Sequence, residues 1–276
     1  MSELKKVAAI NDMSGSSRCS LTAAIPIISA FGMQCCVLPT AILSNHTGYD
    51  KYFFDDYTDK MGKFIDNWSE HNIHFDCIYT GFLGSIEQIE IAERFFETFC
   101  APDTKVIVDP VMGDDGEIYS TYTYDLCEKM KRLIRYADVV TPNTTEAAIL
   151  SGMEYKGDNI SASDARKMAE VICGLGAKNV VITGIKREGR AINYVYGAEG
   201  EGEYSSEIIP VYYSGTGDVF SSIVCGYLAK GDKVCDGVEF ATSFIAKAAK
   251  YSYEKGLDYL EGICFEKFLK DICERI

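Results

Sequence analysis

Short runs rich in Val and Ile recur along the chain: Val7 to Ile10, Cys35 to Leu38, Asp76 to Tyr79, Lys105 to Val108, Asp138 to Val140 and Asn179 to Ile182. Past a polar first residue in four of them (Asp76, Lys105, Asp138 and Asn179), each is continuously apolar rather than alternating, the pattern of a strand covered on both faces. Between them lie longer stretches of helical spacing, Asp55 to Glu70, Ile86 to Cys100, Asp125 to Tyr136 and Ser163 to Leu175, several opened by a Ser, Thr or Asp cap. Strand and helix in alternation predict an α/β chain with a mostly parallel sheet covered by helices on both faces. Ala191 to Pro210 breaks the rhythm: β-branched and aromatic pieces interrupted by Gly197, Gly200 and Gly202 predict a hairpin at a sheet edge. Helical spacing then returns over Gly217 to Lys230, Val238 to Tyr253 and Phe265 to Glu274. With 276 residues at 47% hydrophobic composition the chain can bury a large core. No repeat or Pro/Gly/Ser-rich linker divides it, so residues 1–276 are expected to form one domain.

Charge narrows the partners. A formal net charge of −14 repels phosphate backbones and anionic headgroups, which argues against nucleic acid and membrane surfaces. No apolar stretch approaches the ~20 residues a spanning helix needs. Eleven cysteines without a C-x-x-C pair read as reduced thiols used as small hydrophobes, and the expected location is cytoplasmic.

In open parallel sheets, ligands bind where loops leave the carboxyl ends of strands. There the chain places Asn11 to Ser17, Asp109 to Gly116, Thr141 to Glu146, Thr183 to Gly184, and Gly215 to Asp218 ahead of a helix. In Ser214-Gly215-Thr216-Gly217-Asp218, two glycines allow a turn whose N–H groups point outward at a helix start, a nest for an anion. Such a nest would hold the charge of a transferring phosphoryl group, and Asp218 would take the proton of an attacking hydroxyl. The competing reading is a tight turn and an ordinary first-turn aspartate. Asp109, Asp114 and Glu146 add strand-end carboxylates suited to Mg²⁺, directly or through water, with capping and solvated loop charge as their alternative.

This stretch resembles the G-T-G-D signature of the ribokinase-like kinases. Further landmarks of that family stand in order: Asp109-Pro110-Val111-Met112-Gly113-Asp114, then Ala137-Asp138-Val139-Val140-Thr141-Pro142-Asn143 with Glu146, then Val180-Val181-Ile182-Thr183-Gly184. The resemblance implies a ribokinase-like three-layer αβα sandwich, Asp218 as catalytic base and the Gly215-Thr216-Gly217 backbone as the anion hole. It also implies ATP-binding contacts from Asp109, Asp114, Asn143, Glu146, Thr183, Gly184, Thr216 and Gly217, and Mg²⁺ held near Asp109, Asp114 and Glu146. Only a short loop separates Ile10 from the helix around Leu21 to Phe31, leaving no room for the strand-built lid of the sugar kinases. Met112 to Thr123, with Tyr119 and Tyr122, is then either the flap that excludes water or a surface turn.

Ser44-Asn45-His46-Thr47-Gly48-Tyr49 is similar to a segment of the pyridoxal kinases, a branch of that family. The similarity implies that Thr47 hydrogen-bonds a pyridine substrate, His46 walls its pocket, and Phe82 stands where a tyrosine often covers the ring. It further implies a B6 vitamer as acceptor, a monovalent cation (K⁺ or Na⁺) near Asp109 and Thr141, and a homodimer. Asp12, with Ser14, occupies the place of a serine that binds the pyridine nitrogen; an aspartate can pair with a protonated ring nitrogen. The Asp12-to-Gly15 turn also resembles that of hydroxymethylpyrimidine kinases, which remain the alternative, together with a non-catalytic vitamer binder. Adenine contacts are expected near Ile209 to Val211.

Overall fold

The computed structural model describes residues 4–275. The apolar runs become the core of a sheet: β1 (Lys6–Ser14), β2 (Gln34–Leu43), β4 (Cys77–Thr80), β5 (Lys105–Val108), β8 (Val139–Val140) and β9 (Asn179–Arg187). With β3 (Phe54–Asp56), β10 (Arg190–Gly197) and β11 (Gly200–Glu207) they form nine strands in the order β11-β10-β9-β8-β5-β4-β1-β2-β3. From β9 to β2 every pairing is parallel, and only β3, β10 and β11 run antiparallel to their neighbours. The expected edge hairpin is β10–β11, and β9 runs past the expected Ile182 to Arg187 to pair with it.

The period of two along each strand sends side chains to two separate cores. Ala8, Ile10, Ile78, Val106, Val108, Val140, Val180 and Ile182 face one; Val7, Ala9, Cys77, Tyr79, Ile107, Val139 and Val181 face the other. The first core is closed by α2 (Thr58–Glu70), α3 (Ile86–Phe99), α4 (Tyr124–Ile134), α5 (Thr144–Ser151) and α6 (Ala162–Gly174). The second is closed by α1 (Ser20–Ala30), α7 (Thr216–Lys230), α8 (Val234–Glu254) and α9 (Leu269–Cys273). This is a three-layer αβα sandwich with the ribokinase-like fold.

Several boundaries differ from expectation. Asp55 and Asp56 pair in β3 rather than opening α2, because the carboxyl end of β2 offers them a ladder from Ala41 to Leu43. The segment after Phe265 begins as a 3₁₀ turn and turns α-helical only at Leu269. No helix among the described residues is long and apolar enough to cross a membrane. All eleven cysteines are free thiols, with Cys19, Cys77, Cys127 and Cys225 buried as small apolar groups.

Candidate active site

The carboxyl ends of β1, β4, β5 and β8 meet the start of α7. That start is built by Gly215, whose φ of +76° lies in the left-handed region. A side chain there would also collide with the Arg18 carbonyl oxygen and with Cys19. Val219 N–H is the first to close back into the helix, on Gly215 O at 3.1 Å. The N–H groups of Thr216, Gly217 and Asp218 therefore sit in the first turn, where helix geometry leaves donors without intrahelical partners and the dipole favours an anion.

Asp218, in that turn, is held from the sheet side. Its Oδ1 accepts from Asn11 Nδ2 at 2.9 Å and from Tyr79 OH at 3.2 Å. Burial pushes the carboxyl above the ordinary range, held back by the Ser20 N–H and by the Asn11 and Tyr79 bonds. Asp12 is buried beside it and accepts from Ser14 Oγ at 2.8 Å. Burial first, and then the Asp218 charge, push Asp12 up to about 6, against hydrogen bonds from Ser20 and Ser14.

A second cluster lies toward β5 and β8. Asp109 accepts from Ser221 Oγ of α7 at 2.9 Å, and that hydroxyl is 2.9 Å from Thr141 Oγ1. Glu146 is the N3 residue of a capping box at α5: its Oε2 accepts Asn143 N–H at 2.9 Å while Asn143 Oδ1 accepts Glu146 N–H at 2.9 Å. Its Oε1 accepts Met112 N–H, also at 2.9 Å. Asp109 is pushed up by burial and then by Glu146 and Asp218. Burial pushes Glu146 up to about 7, partly offset by the Asn143 and Met112 N–H groups and reinforced by Asp114. Asp12, Asp218, Asp109, Glu146 and Asp114 thus form a chain of carboxylates, each raising or raised by the next.

Such a chain favours a cation. Among the described residues, however, Asp109, Asp114 and Glu146 do not close into a ready-made ligand cage. Both Glu146 oxygens are already committed to the α5 cap and Met112. Of the two arrangements the sequence allows, direct or through water, the donors fit a hydrated Mg²⁺ that keeps much of its water.

The remaining expected residues are distributed around this line. Asn143 and Thr183 are bridged backbone to backbone, and Asn143 Nδ2 donates to Gly113 O at 2.8 Å. Gly184 follows, exposed, with φ +75°. His46 has both ring nitrogens engaged: Gly48 N–H donates to Nδ1 at 3.1 Å, so Nε2 donates to Leu260 O at 2.8 Å. Thr47, next to it, is exposed. Phe82 is half-buried, edge-to-face with Tyr122 at 6.0 Å between ring centroids. Ile209 and Val211 are half-buried against the second core.

The segment from Met112 to Thr123 is tethered to the body of the protein. It folds into a hairpin of β6 (Gly113–Asp114) and β7 (Glu117–Ile118). Met112 N–H is tied to Glu146, Gly116 N–H to Thr145 Oγ1 at 2.9 Å, and Tyr122 OH to Leu83 O at 2.7 Å. Sequence reasoning did not single out Asn11, Tyr79, Ser20 or Ser221. Asn11 and Tyr79 sit inside strands and Ser221 inside a helix, where their types read as structural. Ser20 carries a signal only in the structure, a positive φ of +49° in a non-glycine residue.

Residues 19–261 match the phosphomethylpyrimidine kinase family. The chain belongs to that family. It is 37% identical to a Bacteroides thetaiotaomicron protein solved in an orthorhombic form with pyridoxal, with a TM-score of 0.93 over 98% of this chain and 96% of that one. It is 35% identical over 188 residues, 66% of each chain, to the pyridoxine kinase of Bacillus subtilis. The pyridoxal kinase of Staphylococcus aureus, solved with AMP-PCP and pyridoxal, superposes with a TM-score of 0.77 at 27% identity, covering 90% of this chain and 88% of that one. Members of this family that bind a nucleotide analogue and a small heterocycle together are consistent with a site having one anion-holding end and one polar, largely buried end.

Proposed function

We propose that the chain is an ATP-dependent B6-vitamer kinase, transferring the γ-phosphoryl group to the 5′-hydroxyl of pyridoxal, pyridoxine or pyridoxamine. The observation that carries this reading is the position of Asp218: a carboxylate in the first turn of α7, beside outward N–H groups, tied to the carboxyl end of β1 where Asp12 and Ser14 lie. In this reading Asp218 is the base, and the Gly215, Thr216 and Gly217 backbone stabilises the charge spread over the migrating group. Asn143, Thr183 and Gly184 contact the nucleotide phosphates.

Asp109, Asp114 and Glu146 hold hydrated Mg²⁺, which neutralises charge on the phosphate oxygens. A monovalent cation is assigned beside Asp109 and Thr141. On the acceptor side, Asp12 and Ser14 read the ring nitrogen, Thr47 hydrogen-bonds the ring substituents, His46 walls the slot and Phe82 covers it. The protein works as one domain spanning residues 1–276, in the cytoplasm, as a homodimer.

A hydroxymethylpyrimidine kinase is the second reading, favoured by the matched family and by Asp12 where a serine is usual. Steady-state phosphorylation of pyridoxal, pyridoxine, pyridoxamine and hydroxymethylpyrimidine with Mg·ATP separates the two. The B6 reading predicts the higher kcat/KM on a vitamer. A preference for the pyrimidine reverses the assignment, and no vitamer-dependent ATP consumption indicates a binder.

A further inference from the structure

Asn11 and Tyr79 are both wholly buried, yet both aim polar groups at the same atom, Asp218 Oδ1. Asn11 has no freedom to turn its amide over. Its Oδ1 accepts from Asp12 N–H at 2.9 Å and from Phe82 N–H at 2.8 Å, so only the NH₂ end can face the carboxylate. Nδ2 also lies 3.4 Å from Tyr79 OH, which leaves the phenolic proton for Asp218. The packing is close: a Cβ at Gly81 would run into the Asn11 amide. Asn11 therefore ties the end of β1, the turn carrying Phe82 and the start of α7 through one side chain.

We propose that Asn11 and Tyr79 are positioning residues for the base: they hold Oδ1 of Asp218, present Oδ2 to the acceptor hydroxyl, and through Phe82 N–H fix the base relative to the aromatic wall. The inference rests on the kinase reading of Asp218. In the step it serves, the acceptor O–H proton passes to Oδ2 while the hydroxyl oxygen bonds to the γ-phosphorus. The bond from that phosphorus to the β,γ-bridging oxygen breaks, and its electron pair leaves with ADP. A carboxylate held at one oxygen offers the other in a single orientation, which is worth rate because the geometry is set before the reaction. Burial first, and then the Asp218 and Asp109 charges, push the Tyr79 hydroxyl far above its ordinary value, so it stays a donor throughout.

Asp12 from β1, Cys19 from α1, His46 from the loop after β2, Tyr79 from β4, Asp109 after β5 and Tyr212 ahead of α7 are the titratable groups that act on Asp218 or feel it. Of these, Tyr79 can be altered by removing a single oxygen atom.

The test is Tyr79→Phe, which keeps the ring in the core, read as kcat, KM and the pH profile of kcat with pyridoxal and Mg·ATP. The expected result is a kcat lower by roughly tenfold or more with a pyridoxal KM within about twofold, since the contact acts on orientation and not on binding. The acidic limb of the profile moves to higher pH, because the lost donor no longer favours the carboxylate. Asn11→Ala is expected to lower kcat and also to raise the pyridoxal KM, because Phe82 N–H loses its acceptor. An active parent whose Tyr79→Phe variant keeps both its kcat and its acidic limb overturns this inference and leaves the kinase reading standing. A parent that phosphorylates none of the vitamers or hydroxymethylpyrimidine overturns the reading and the inference together.

Discussion

Ser221 Oγ, in the second turn of α7, donates to Asp109 Oδ2 at 2.9 Å and so fastens the helix that carries Asp218 to the carboxyl end of β5. Thr141 Oγ1 lies 2.9 Å from the same hydroxyl, which makes a three-member polar bridge inside an otherwise apolar layer. Asp109 is 6% exposed, so losing its donor leaves a buried carboxylate with one partner fewer. Ser221→Ala is expected to cost about 1–3 kcal/mol of stability. It should also raise the Mg·ATP requirement while sparing the pyridoxal KM. Urea unfolding and a magnesium titration of the rate measure the two effects.

Gly215 is the most constrained backbone position in the site. Gly215→Ala places a side chain in the left-handed region and against the Arg18 carbonyl at once. The expected loss is about 1–3 kcal/mol of stability, together with a kcat drop that exceeds any change in vitamer KM. Thermal unfolding beside steady-state kinetics checks it.

Asp12 gives the protein a pH-dependent term of known sign. Its carboxyl is raised to about 6 in the folded chain, mainly by burial. Unfolded, it titrates near about 3.9, so between those values the folded chain binds the extra proton. Its contribution to stability is fully present below the unfolded value and is lost as pH rises through 6. Asp12→Asn should therefore stabilise the ligand-free protein at pH 8 by on the order of 1–3 kcal/mol and flatten the stability curve between pH 4 and 6. The same variant should bind the vitamer more weakly. A variant that is no more stable at pH 8 would contradict the burial of a charged Asp12.

Phe82 packs edge-to-face on Tyr122, whose hydroxyl is anchored on Leu83 O. Phe82→Ala should raise the pyridoxal KM about tenfold, the equivalent of losing one aromatic contact and its buried area. The KM for ATP should stay near that of the parent. Initial-rate kinetics with each substrate varied in turn would reveal it.

The sheet was legible because its strands are apolar on both faces: Val7, Ala8, Ala9 and Ile10 serve two cores in alternation, and a continuous run is what that requires. The α7 turn was legible because Gly215 marks a bend that other residues resist. Asn11, Tyr79 and Ser221 were not. A buried Asn, Tyr or Ser in a strand or helix looks the same in sequence whether it satisfies the backbone or holds a carboxylate, and only the approach of residues 68, 112 and 207 positions apart in the chain reveals which. The capping role of Glu146 was hidden for a related reason. Glu146 reads as a free strand-end acid, while the three-residue spacing to Asn143 had already committed it to a cap.

The most direct measurement is the turnover of Asp218→Asn beside the binding of pyridoxal and Mg·ATP to the same protein. With Asp218 as base, kcat should fall by about 10²–10⁴ while both dissociation constants stay within a few-fold of the parent. An Asp218→Asn protein that phosphorylates pyridoxal at the parent rate would contradict the account.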